Sequence, residues 1–591
     1  MSERRTFFLK TLVLIIAVFS VYYPSVNAGF IWDDDTFFTH NPIMDSPNAL
    51  WKFWFTTEPP DYFPLVSTVL WLERQLWDLN PAGYHLTNIG FHAINAFLLW
   101  RIFLRCALPG AWLAAMVFSL HPVQVESVSW ATQIKTLQST FFYLMAFLWY
   151  LSSHIEKKTI GYGISLFLFL LGLLSKTSVV MLPVVLLFYH IWKDDLPSAL
   201  IIRRTTPFFM LSLVFGLVTI WFQYNSAGAK GEDWSLGFAE RLVNAGYNII
   251  FYLYKFVVPW NLTFIYPRWS FDPVDWFSWI PHLSLAIMLA FFFRHKDSWG
   301  RFALAGFLYF VISLFPVLGF WNIFFMRYSF VADHYQYIAT PGLIALVVSI
   351  ILPWVSKASF AIRKSGIVLA VLTLGVLASL TWKQQKIYQN SLVLWEDTLR
   401  KNPKAWIAHN NLGNEMELLG DMEKAIWYYR QTLRLKPNYA EAEDNLGLAL
   451  FKMGRVEEAK PHFSKAARLK PDFWQPRNNL GTVLAREGFF VEAAFLFEEV
   501  LRIDPGNANA HNNLGLIRER QGLYREALEH WELALIDPTN KRAQVHNNIG
   551  AMLLDLGRTE EAISHFGSSL QIEPKLREAQ ENLALAFKKK R

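Results

Sequence analysis

The sequence predicts an all-α protein in two parts, a multi-span membrane domain followed by a soluble array of helical repeats. Two observations lead to this prediction. Hydrophobic residues make up 53% of the 591-residue chain, and the long apolar stretches lie within residues 1–382. Residues 383–591 are instead rich in charge and repeat the tripeptide Asn-Leu-Gly. A chain of this length is expected to hold more than one domain, so we place the boundary between residues 382 and 383.

The apolar stretches of residues 1–382 are long enough to cross a membrane. A span needs about 17–25 apolar residues, and about eleven are predicted, near 6–24, 86–104, 111–128, 137–153, 160–174, 177–192, 206–223, 279–293, 302–320, 337–355 and 365–381. The positive-inside rule then puts the N-terminus in the cytoplasm, with the loop 25–85 and the repeats outside it, provided that 242–260 does not fully cross. We expect a multi-pass protein of the cytoplasmic (inner) membrane with periplasmic repeats. A cleaved signal peptide is the alternative for the first stretch.

Charge and cysteine content exclude two classes of function. The net charge of +7 lies largely in short loops between predicted spans, where it reports membrane orientation rather than binding to nucleic acid. Cys106 is the only cysteine. Disulfides and cysteine-based metal sites are therefore excluded.

Three consecutive carboxylates, Asp33, Asp34 and Asp35, follow the first apolar stretch. Like charges beside lipid lose hydration and repel one another, so this arrangement is costly and favours a chemical role. Other ionisable residues, such as Glu126 and Asp333, also fall at predicted external span ends. Groups collected on one side of the membrane indicate a single site there. For the aromatic residues of the same loops, anchoring at the membrane interface is the alternative.

The C-terminal part repeats with a spacing of 34 or 35 residues. Asn-Leu-Gly begins at Asn411, Asn445, Asn479 and Asn513, and Asn-Ile-Gly begins at Asn548. Small residues at fixed offsets let two antiparallel helices approach closely, and proline ends each unit. The pattern resembles a tetratricopeptide array. We predict five repeats over 404–574, preceded by a linker and half-repeat at 383–403 and followed by a capping helix and basic tail at 575–591.

The asparagine that opens each tripeptide occupies the same helical position in every repeat. One amide per repeat could form a ladder that pairs with an extended peptide backbone. It resembles the asparagine ladder of the soluble O-linked N-acetylglucosamine transferase repeat domain. We therefore predict that Asn411, Asn445, Asn479, Asn513 and Asn548 bind an acceptor peptide. The alternative is that asparagine is simply frequent at this position of the repeat.

Motifs along the membrane half resemble the transmembrane and tetratricopeptide-repeat O-mannosyltransferase-like family, within the C-type glycosyltransferase membrane fold. The motifs are Trp32-Asp33-Asp34-Asp35 with Asn41-Pro42, Gly83-Tyr84-His85-Leu86-Thr87-Asn88, His121-Pro122-Val123-Gln124-Val125-Glu126, Ser175-Lys176, and Asp333 with Tyr335-Gln336-Tyr337. Together with the repeats, the resemblance covers nearly the whole chain.

The resemblance implies a polyprenyl-phosphate sugar donor and transfer of a mannose-like hexose to Ser or Thr hydroxyls of extracytoplasmic proteins, which the repeats would recruit. Such a reaction needs a base and positive charge at the leaving phosphate. The residues so implied are Asp33, Asp34, Asp35 and Glu126 for catalysis, Lys135, Lys176 and His334 for the donor phosphate, and His121, Asp333 and Tyr337 elsewhere in the site. A divalent cation, Mg or Mn, held by Asp34 and Asp35, is an additional expectation.

The chain departs from the family pattern at three positions where arginine is usual. Phe63 precedes Pro64, the segment after the second-loop motif reads Thr132-Gln133-Ile134-Lys135-Thr136, and His334 follows Asp333. A different donor, a different grip on the phosphate or lost activity all remain open. The competing interpretation is a non-catalytic scaffold in which the repeats assemble an envelope or secretion complex. A transporter is disfavoured because its ionisable residues would lie near the middle of the membrane.

Overall fold

A computed structural model describes residues 3–156, 159–193, 197–536 and 542–590, and within these ranges every regular element is helical. Met1, Ser2 and Arg591, assigned above to the two ends of the chain, lie outside the described residues. The chain forms two compact units, Met1–Ala405 and Trp406–Arg591. The prediction of an all-α protein is confirmed.

The described residues of the first unit contain sixteen α-helices. They are α1 Glu3–Tyr22, α2 Ala49–Phe55, α3 Pro64–Trp77, α4 Pro81–Arg105, α5 Ala111–Leu120, α6 Val125–Ser129, α7 Ile134–Glu156, α8 Thr159–Ser175, α9 Leu182–Lys193, α10 Ser198–Asn225, α11 Phe238–Val257, α12 Ile280–Arg294, α13 Gly300–Leu314, α14 Thr340–Lys357, α15 Phe360–Gln385 and α16 Ser391–Lys401.

Six helical segments of this unit are long and apolar enough to cross a membrane. They are Glu3–Asn27, Ser198–Asn225, Trp276–Arg294, Gly300–Val317, Thr340–Lys357 and Phe360–Tyr388, and shorter apolar helices lie at Ala111–Leu120, Thr159–Ser175 and Thr177–Lys193. The membrane domain is thereby confirmed, whereas about eleven crossings and their orientation stay predictions. The predicted span at 111–128 is shorter in the structure, because α5 ends at Leu120 and the chain turns at His121-Pro122.

A buried polar stripe on α4 holds the chain that follows this turn. His85, Asn88, His92 and Asn95 recur every three or four residues and are fully buried. The Asn88 amide donates to the carbonyl oxygens of Trp130 and Ala131, and the Asn95 amide donates to that of Leu137. Buried carbonyl groups outside a helix need such partners. The stripe therefore holds the segment 121–136 in place, and this segment carries several site residues.

Helix α16 packs within the first unit, although the sequence had assigned it to a half-repeat ahead of the array. The Trp395 ring lies 5.5 Å from that of Phe264, between centroids. The Lys401 ammonium donates to the carbonyl oxygen of Leu262 at 2.6 Å, and the Asn402 amide donates to that of Ile265 at 3.2 Å. The first compact unit accordingly ends at Ala405, and the second begins at Trp406.

The second unit is a succession of helical pairs. Its helices are α17 Trp406–Leu418, α18 Met422–Leu435, α19 Ala440–Lys452, α20 Val456–Leu469, α21 Gln475–Glu487, α22 Phe490–Ile503, α23 Ala508–Arg520, α24 Tyr524–Ala534, α25 Arg542–Asp555, α26 Thr559–Ile572 and α27 Arg577–Lys590. The glycine of each tripeptide lets the second helix of the pair approach. A Cβ at Gly413 or Gly515 would overlap the ring of Tyr429 or Trp531.

Candidate active site

Five segments of the first unit bring ionisable side chains together. They are the turn after α1, the loop before α3, the segment 121–136, the break between α8 and α9, and the segment 333–336. The ionisable residues are Asp33, Asp34, Asp61, Glu126, Lys135, Lys176, Asp333 and His334. The sequence placed all of them except Asp61 in one site.

The turn after α1 is held by an aromatic cage around Trp32. The backbone φ of Trp32 is +46°, a left-handed conformation that costs a bulky residue about 1–3 kcal/mol. The ring stacks on Trp130 at 5.7 Å between centroids. It also meets Phe264, Phe325, Tyr328 and Trp395 edge-on at 5.2–5.9 Å. These contacts hold the strained turn that directs the next residues.

Asp34 is the structural member of the acidic triplet. It is fully buried, and its carboxylate accepts the backbone N–H of Ile31 at 2.8 Å and that of Thr132 at 3.0 Å. Burial, together with the neighbouring charge of Asp33, raises the pKa of Asp34 to about 8. Both of its oxygens are used to join the turn after α1 to the segment 121–136.

Asp33 is the member that a substrate can reach. One carboxylate oxygen accepts the Thr132 hydroxyl at 3.1 Å, and the other lies 3.7 Å from the Lys135 ammonium. The side chain is 25% exposed. Burial raises the pKa of Asp33, and the nearby Lys135 charge opposes that shift. A carboxylate with a raised pKa at an accessible position can accept a proton.

Asp35 lies apart from the other two acids. Its side chain is exposed, accepts the Thr39 hydroxyl and lies 3.3 Å from the His40 ring nitrogen. Asp34 is engaged by two backbone N–H groups, and a cation held by Asp34 and Asp35 stays a prediction. Across the described ranges, no group of three or more His, Cys, Asp or Glu side chains is arranged to hold a metal ion.

Two lysines supply positive charge beside Asp33. The Lys135 ammonium lies 4.4 Å from the centroid of the Phe37 ring, and the Lys176 ammonium donates to the Thr136 hydroxyl at 2.8 Å. Burial, aided by the Lys135 charge, lowers the pKa of Lys176 to about 7. Two partly desolvated ammonium groups favour an anion such as a phosphate. The alternative is that the two lysines only pair with the carboxylates and bind no anion.

Asp61, in the loop before α3, is the site residue that the sequence reasoning missed. Its carboxylate accepts the Gln223 amide at 2.8 Å, and burial raises its pKa against the charges of Lys135 and Lys176. The available signal was modest: Asp61 is a further acid of the external loop 25–85, three residues before Pro64. Its approach to the lysines depends on Gln223 at the end of α10, which lies far away in the sequence.

His334 forms a buried pair with Glu126 instead of facing solvent. Its Nδ1–H and backbone N–H donate to the two Glu126 oxygens at 2.8 and 3.2 Å. Burial lowers the pKa of His334 well below its usual value, so it is held neutral. A neutral imidazole engaged by a carboxylate is a poor phosphate ligand, and the expectation for His334 is not supported. Glu126 thus holds the segment 333–336 in place through these two hydrogen bonds.

The other three expected site residues are packing groups. Asp333 accepts the Tyr266 hydroxyl on both oxygens at 3.1 and 3.0 Å, and burial raises its pKa. His121 lies 3.0 Å from the Phe256 carbonyl oxygen, and the Tyr337 hydroxyl lies 2.8 Å from the His92 ring. All three are buried. They position the segments around Asp33 without reaching the accessible side of the site.

The asparagine ladder of the second unit connects neighbouring repeats. The Asn479 amide donates to Asp444 at 3.0 Å, that of Asn513 to Asn478 at 3.1 Å, and that of Asn548 to Asn512 at 3.0 Å. Asn445 donates to Asn414 at 3.2 Å. These four amide donors are thus used between repeats, and a peptide would meet the side-chain oxygens.

The comparisons with known proteins agree with the two-part architecture. Tetratricopeptide repeat family models match residues 376–440, 445–508, 496–529 and 543–576. Among solved structures, the thermophilic TPR protein TTC0263 of Thermus thermophilus is 21% identical, with a TM-score of 0.28 over 31% of this chain and 99% of its own. YrrB, described as a TPR protein with an unusual peptide-binding site, is 21% identical, with a TM-score of 0.26 over 32% and 96%.

Similarity also extends into the membrane half. Protein O-mannosyl-transferase F38B6.6 of Caenorhabditis elegans is 24% identical over 71% of this chain and 62% of its own length. Human protein O-mannosyl-transferase TMTC3 is 29% identical over 24% of this chain and 17% of its own. The chain therefore spans less than two thirds of these relatives. The resemblance to transmembrane and tetratricopeptide-repeat O-mannosyltransferases is confirmed.

Proposed function

We propose that this chain is an integral membrane glycosyltransferase that moves a mannose-like hexose from a polyprenyl-phosphate donor to Ser or Thr hydroxyls of extracytoplasmic proteins. The observation that carries the proposal is the accessible Asp33 carboxylate, 3.7 Å from the Lys135 ammonium, in a chain similar to named O-mannosyl-transferases. In the proposed orientation the N-terminus is cytoplasmic and the repeats are periplasmic, as the basic loops favour.

The reaction is a single displacement at the anomeric carbon of the sugar. The acceptor hydroxyl oxygen forms a bond to that carbon while the bond to the donor phosphate oxygen breaks. The hydroxyl proton passes to Asp33, and the electron pair of the broken bond leaves with the polyprenyl phosphate. Lys135 and Lys176 stabilise the charge that grows on that phosphate.

The two lysines can supply the positive charge that arginines usually supply in the family. Arginine would grip a phosphate in a bidentate manner, whereas lysine acts as a point charge. Lys135 stands in the segment where the family pattern places an arginine. We assign the positive charge at the phosphate to the two lysines, because Asp34 is engaged by backbone N–H groups and Asp35 is paired locally. The proposed step is therefore written without a divalent cation.

The test uses the purified full-length protein in detergent with a radiolabelled mannosyl-phosphate polyprenol and a Ser/Thr-rich peptide. We expect label in the peptide that is released by base-catalysed elimination, as for an O-linked sugar, and that persists in EDTA. Absence of transfer would contradict the enzyme proposal. If a deletion strain complemented with Asp33→Asn assembled its envelope normally, the scaffold interpretation would be favoured instead.

The repeats are proposed to recruit the acceptor protein through the asparagine ladder. Replacing Asn479 and Asn513 together with alanine should weaken acceptor capture, because the ladder loses both side-chain oxygens. Each substitution also removes one hydrogen bond between repeats, which costs about 0.5–1.5 kcal/mol. Fluorescence anisotropy measures the loss of peptide binding, and the unfolding temperature measures the loss of stability.

Asn582→Ala is the matched control for the ladder. Its amide makes the same kind of contact, donating to Asn547 at 3.0 Å, but it lies in the capping helix α27. We expect a similar loss of stability with acceptor capture retained. If the double variant bound the peptide as the control does, the ladder would be structural only.

A further inference from the structure

One position of the helical repeats carries a polar side chain where the tetratricopeptide pattern usually has tryptophan. That position lies on the first helix of each repeat, three residues before the Leu-Gly or Ile-Gly pair. In this chain it is occupied by His409, Glu443, Arg477, His511 and His546. In the last four repeats this residue contacts an ionisable side chain of the second helix, so the nature of each pair decides how protonation affects the repeat.

The fourth and fifth repeats join their two helices through pairs of histidines. Nδ1 of His511 on α23 lies 3.0 Å from Nδ1 of His530 on α24, and Nδ1 of His546 on α25 lies 3.1 Å from Nδ1 of His565 on α26. In such a contact one nitrogen donates a proton and the other accepts it. Two imidazolium rings would each carry a proton on Nδ1 and would repel each other. A folded pair therefore holds fewer protons at acid pH than the same two histidines in an unfolded repeat.

The other ring nitrogen of His511 fixes its part in the first pair. Nε2 lies 3.1 Å from the carbonyl oxygen of Pro505, which can only accept, so Nε2 carries a proton. Nδ1 of the neutral ring then accepts the Nδ1–H of His530. Protonation of His511 at Nδ1 would remove the acceptor and break the contact between α23 and α24.

Within the described residues, the charged groups at the first pair come from three helices. Burial lowers the pKa of His530, and the neighbouring His511 and Arg518 lower it further. Two carboxylates of α24, those of Glu526 and Glu529, oppose the shift. Arg518 pairs with the first of them at 3.1 Å and, on α22, with Glu498 at 3.2 Å.

At the second pair, burial again lowers the pKa of both rings. The neighbouring His565 and Arg542 lower that of His546 further. Glu561 opposes the shift at His565, but its carboxylate is engaged by Arg558 at 2.6 and 2.7 Å. Because these pKa values lie below the ordinary histidine value of about 6.5, the stabilisation is complete above that pH. It is lost as the pH falls from there towards the lowered values.

The second and third repeats have carboxylates in the corresponding contacts. Nδ1 of His462 on α20 lies 2.6 Å from the Glu443 carboxylate on α19, which also pairs with Lys465. Protonation of His462 adds a positive charge beside a carboxylate, so this contact is strengthened at acid pH. In the third repeat Arg477 pairs with Glu499 at 3.3 Å, and both side chains keep their charges in mild acid.

We propose that the fourth and fifth repeats form a pH-sensitive segment, which opens more readily in mild acid while the second and third repeats stay closed. The difference depends on whether a histidine meets another histidine or a carboxylate. Asn513 and Asn548 lie on α23 and α25, within this segment. Acceptor capture by the ladder, which rests on the proposed function, should therefore weaken at acid pH.

Hydrogen–deuterium exchange of the full-length protein in detergent, followed by mass spectrometry at about pH 7.5 and about pH 5.5, tests the proposal. After correction for the intrinsic exchange rate, we expect opening of α23–α26 to become about tenfold more frequent in each repeat at the lower pH. One excluded proton per pair changes the opening constant about tenfold for each pH unit below about 6.5. Helices α19–α22 should show no such increase. Equal protection of α23–α26 at both pH values would overturn the proposal, whether or not the protein transfers a sugar.

The variant His530→Asn isolates the first pair. Its amide can donate to Nδ1 of His511 as the ring does now, but it does not titrate. We expect the acid response to disappear from α23 and α24 and to persist in α25 and α26, which serve as the internal control. His565→Asn gives the same test at the second pair, with the two sets of helices exchanged.

His462→Asn is the matched control, since it removes the histidine from the same position of the second repeat. The acid response of α23–α26 should remain as in the wild type. If that response persisted at the altered pair of His530→Asn, or disappeared in His462→Asn, the histidine pairs would not be its cause. Protection of the variants at about pH 7.5 verifies that each one is folded.

Discussion

Replacing Asp33 with asparagine should lower the rate of sugar transfer by about 10²–10⁴-fold, the usual contribution of a general base. The amide oxygen can still accept the Thr132 hydroxyl that now donates to the carboxylate at 3.1 Å. The turn should therefore survive while the proton acceptor is lost. Initial rates with a radiolabelled donor measure the effect, and thermal unfolding in detergent verifies that the fold is kept.

Asp35→Asn is the control for this experiment. The two residues are separated by one position, yet Asp35 is exposed and paired locally with Thr39 and His40. We expect transfer close to that of the wild type. Retention of more than about a tenth of the activity in Asp33→Asn would show that another group accepts the proton.

Replacing Asp34 with alanine should destabilise the membrane unit by about 2–6 kcal/mol. The substitution leaves two buried backbone N–H groups, those of Ile31 and Thr132, without the acceptor they have now, and each loss costs about 1–3 kcal/mol. Thermal unfolding in detergent gives the change. The effect on transfer should be secondary, since Asp34 is buried and both of its oxygens accept backbone N–H groups.

The Asp34→Asn variant separates the effect of lost hydrogen bonds on stability from the effect of lost side-chain volume. The amide keeps one acceptor oxygen and places an NH₂ group against the second N–H, so we expect an intermediate loss of stability. Asp35→Ala, whose carboxylate is exposed, should change stability by about 0.5 kcal/mol at most. Equal unfolding temperatures for Asp34→Ala and wild type would contradict the structural role of Asp34.

The helical architecture could be predicted from sequence because it depends on local patterns. The lengths of the apolar stretches indicated the membrane helices, and the spacing of Asn-Leu-Gly predicted helical pairs. In one such pair the structure places Gly515 against the Trp531 ring. The end of α5 could not be located in this way. The carbonyl oxygen of Leu120 accepts the Thr381 hydroxyl at 2.8 Å, a contact from a distant part of the sequence.

The sequence predicted which residues lie in the site better than it predicted the role of each residue. Asp33, Lys135 and Lys176 do lie together, as the motifs indicated. Adjacency in sequence suggested that three aspartates act as one group, but a strained turn directs them to three different surroundings. Asp61 was missed because its place depends on Gln223, a tertiary contact that leaves no local pattern.

The aromatic cage around Trp32 also bears on the order in which the protein is built. One of its walls is Trp395 in α16, and the backbone N–H of Gly29 donates to the carbonyl oxygen of Gln389 at 2.9 Å. The surroundings of the strained Trp32 are complete only once these later residues have been synthesised. During synthesis the acidic turn emerges first, yet it stays incomplete until the last membrane helix has inserted. The contacts that hold the acidic turn are therefore complete only after α16 has been synthesised.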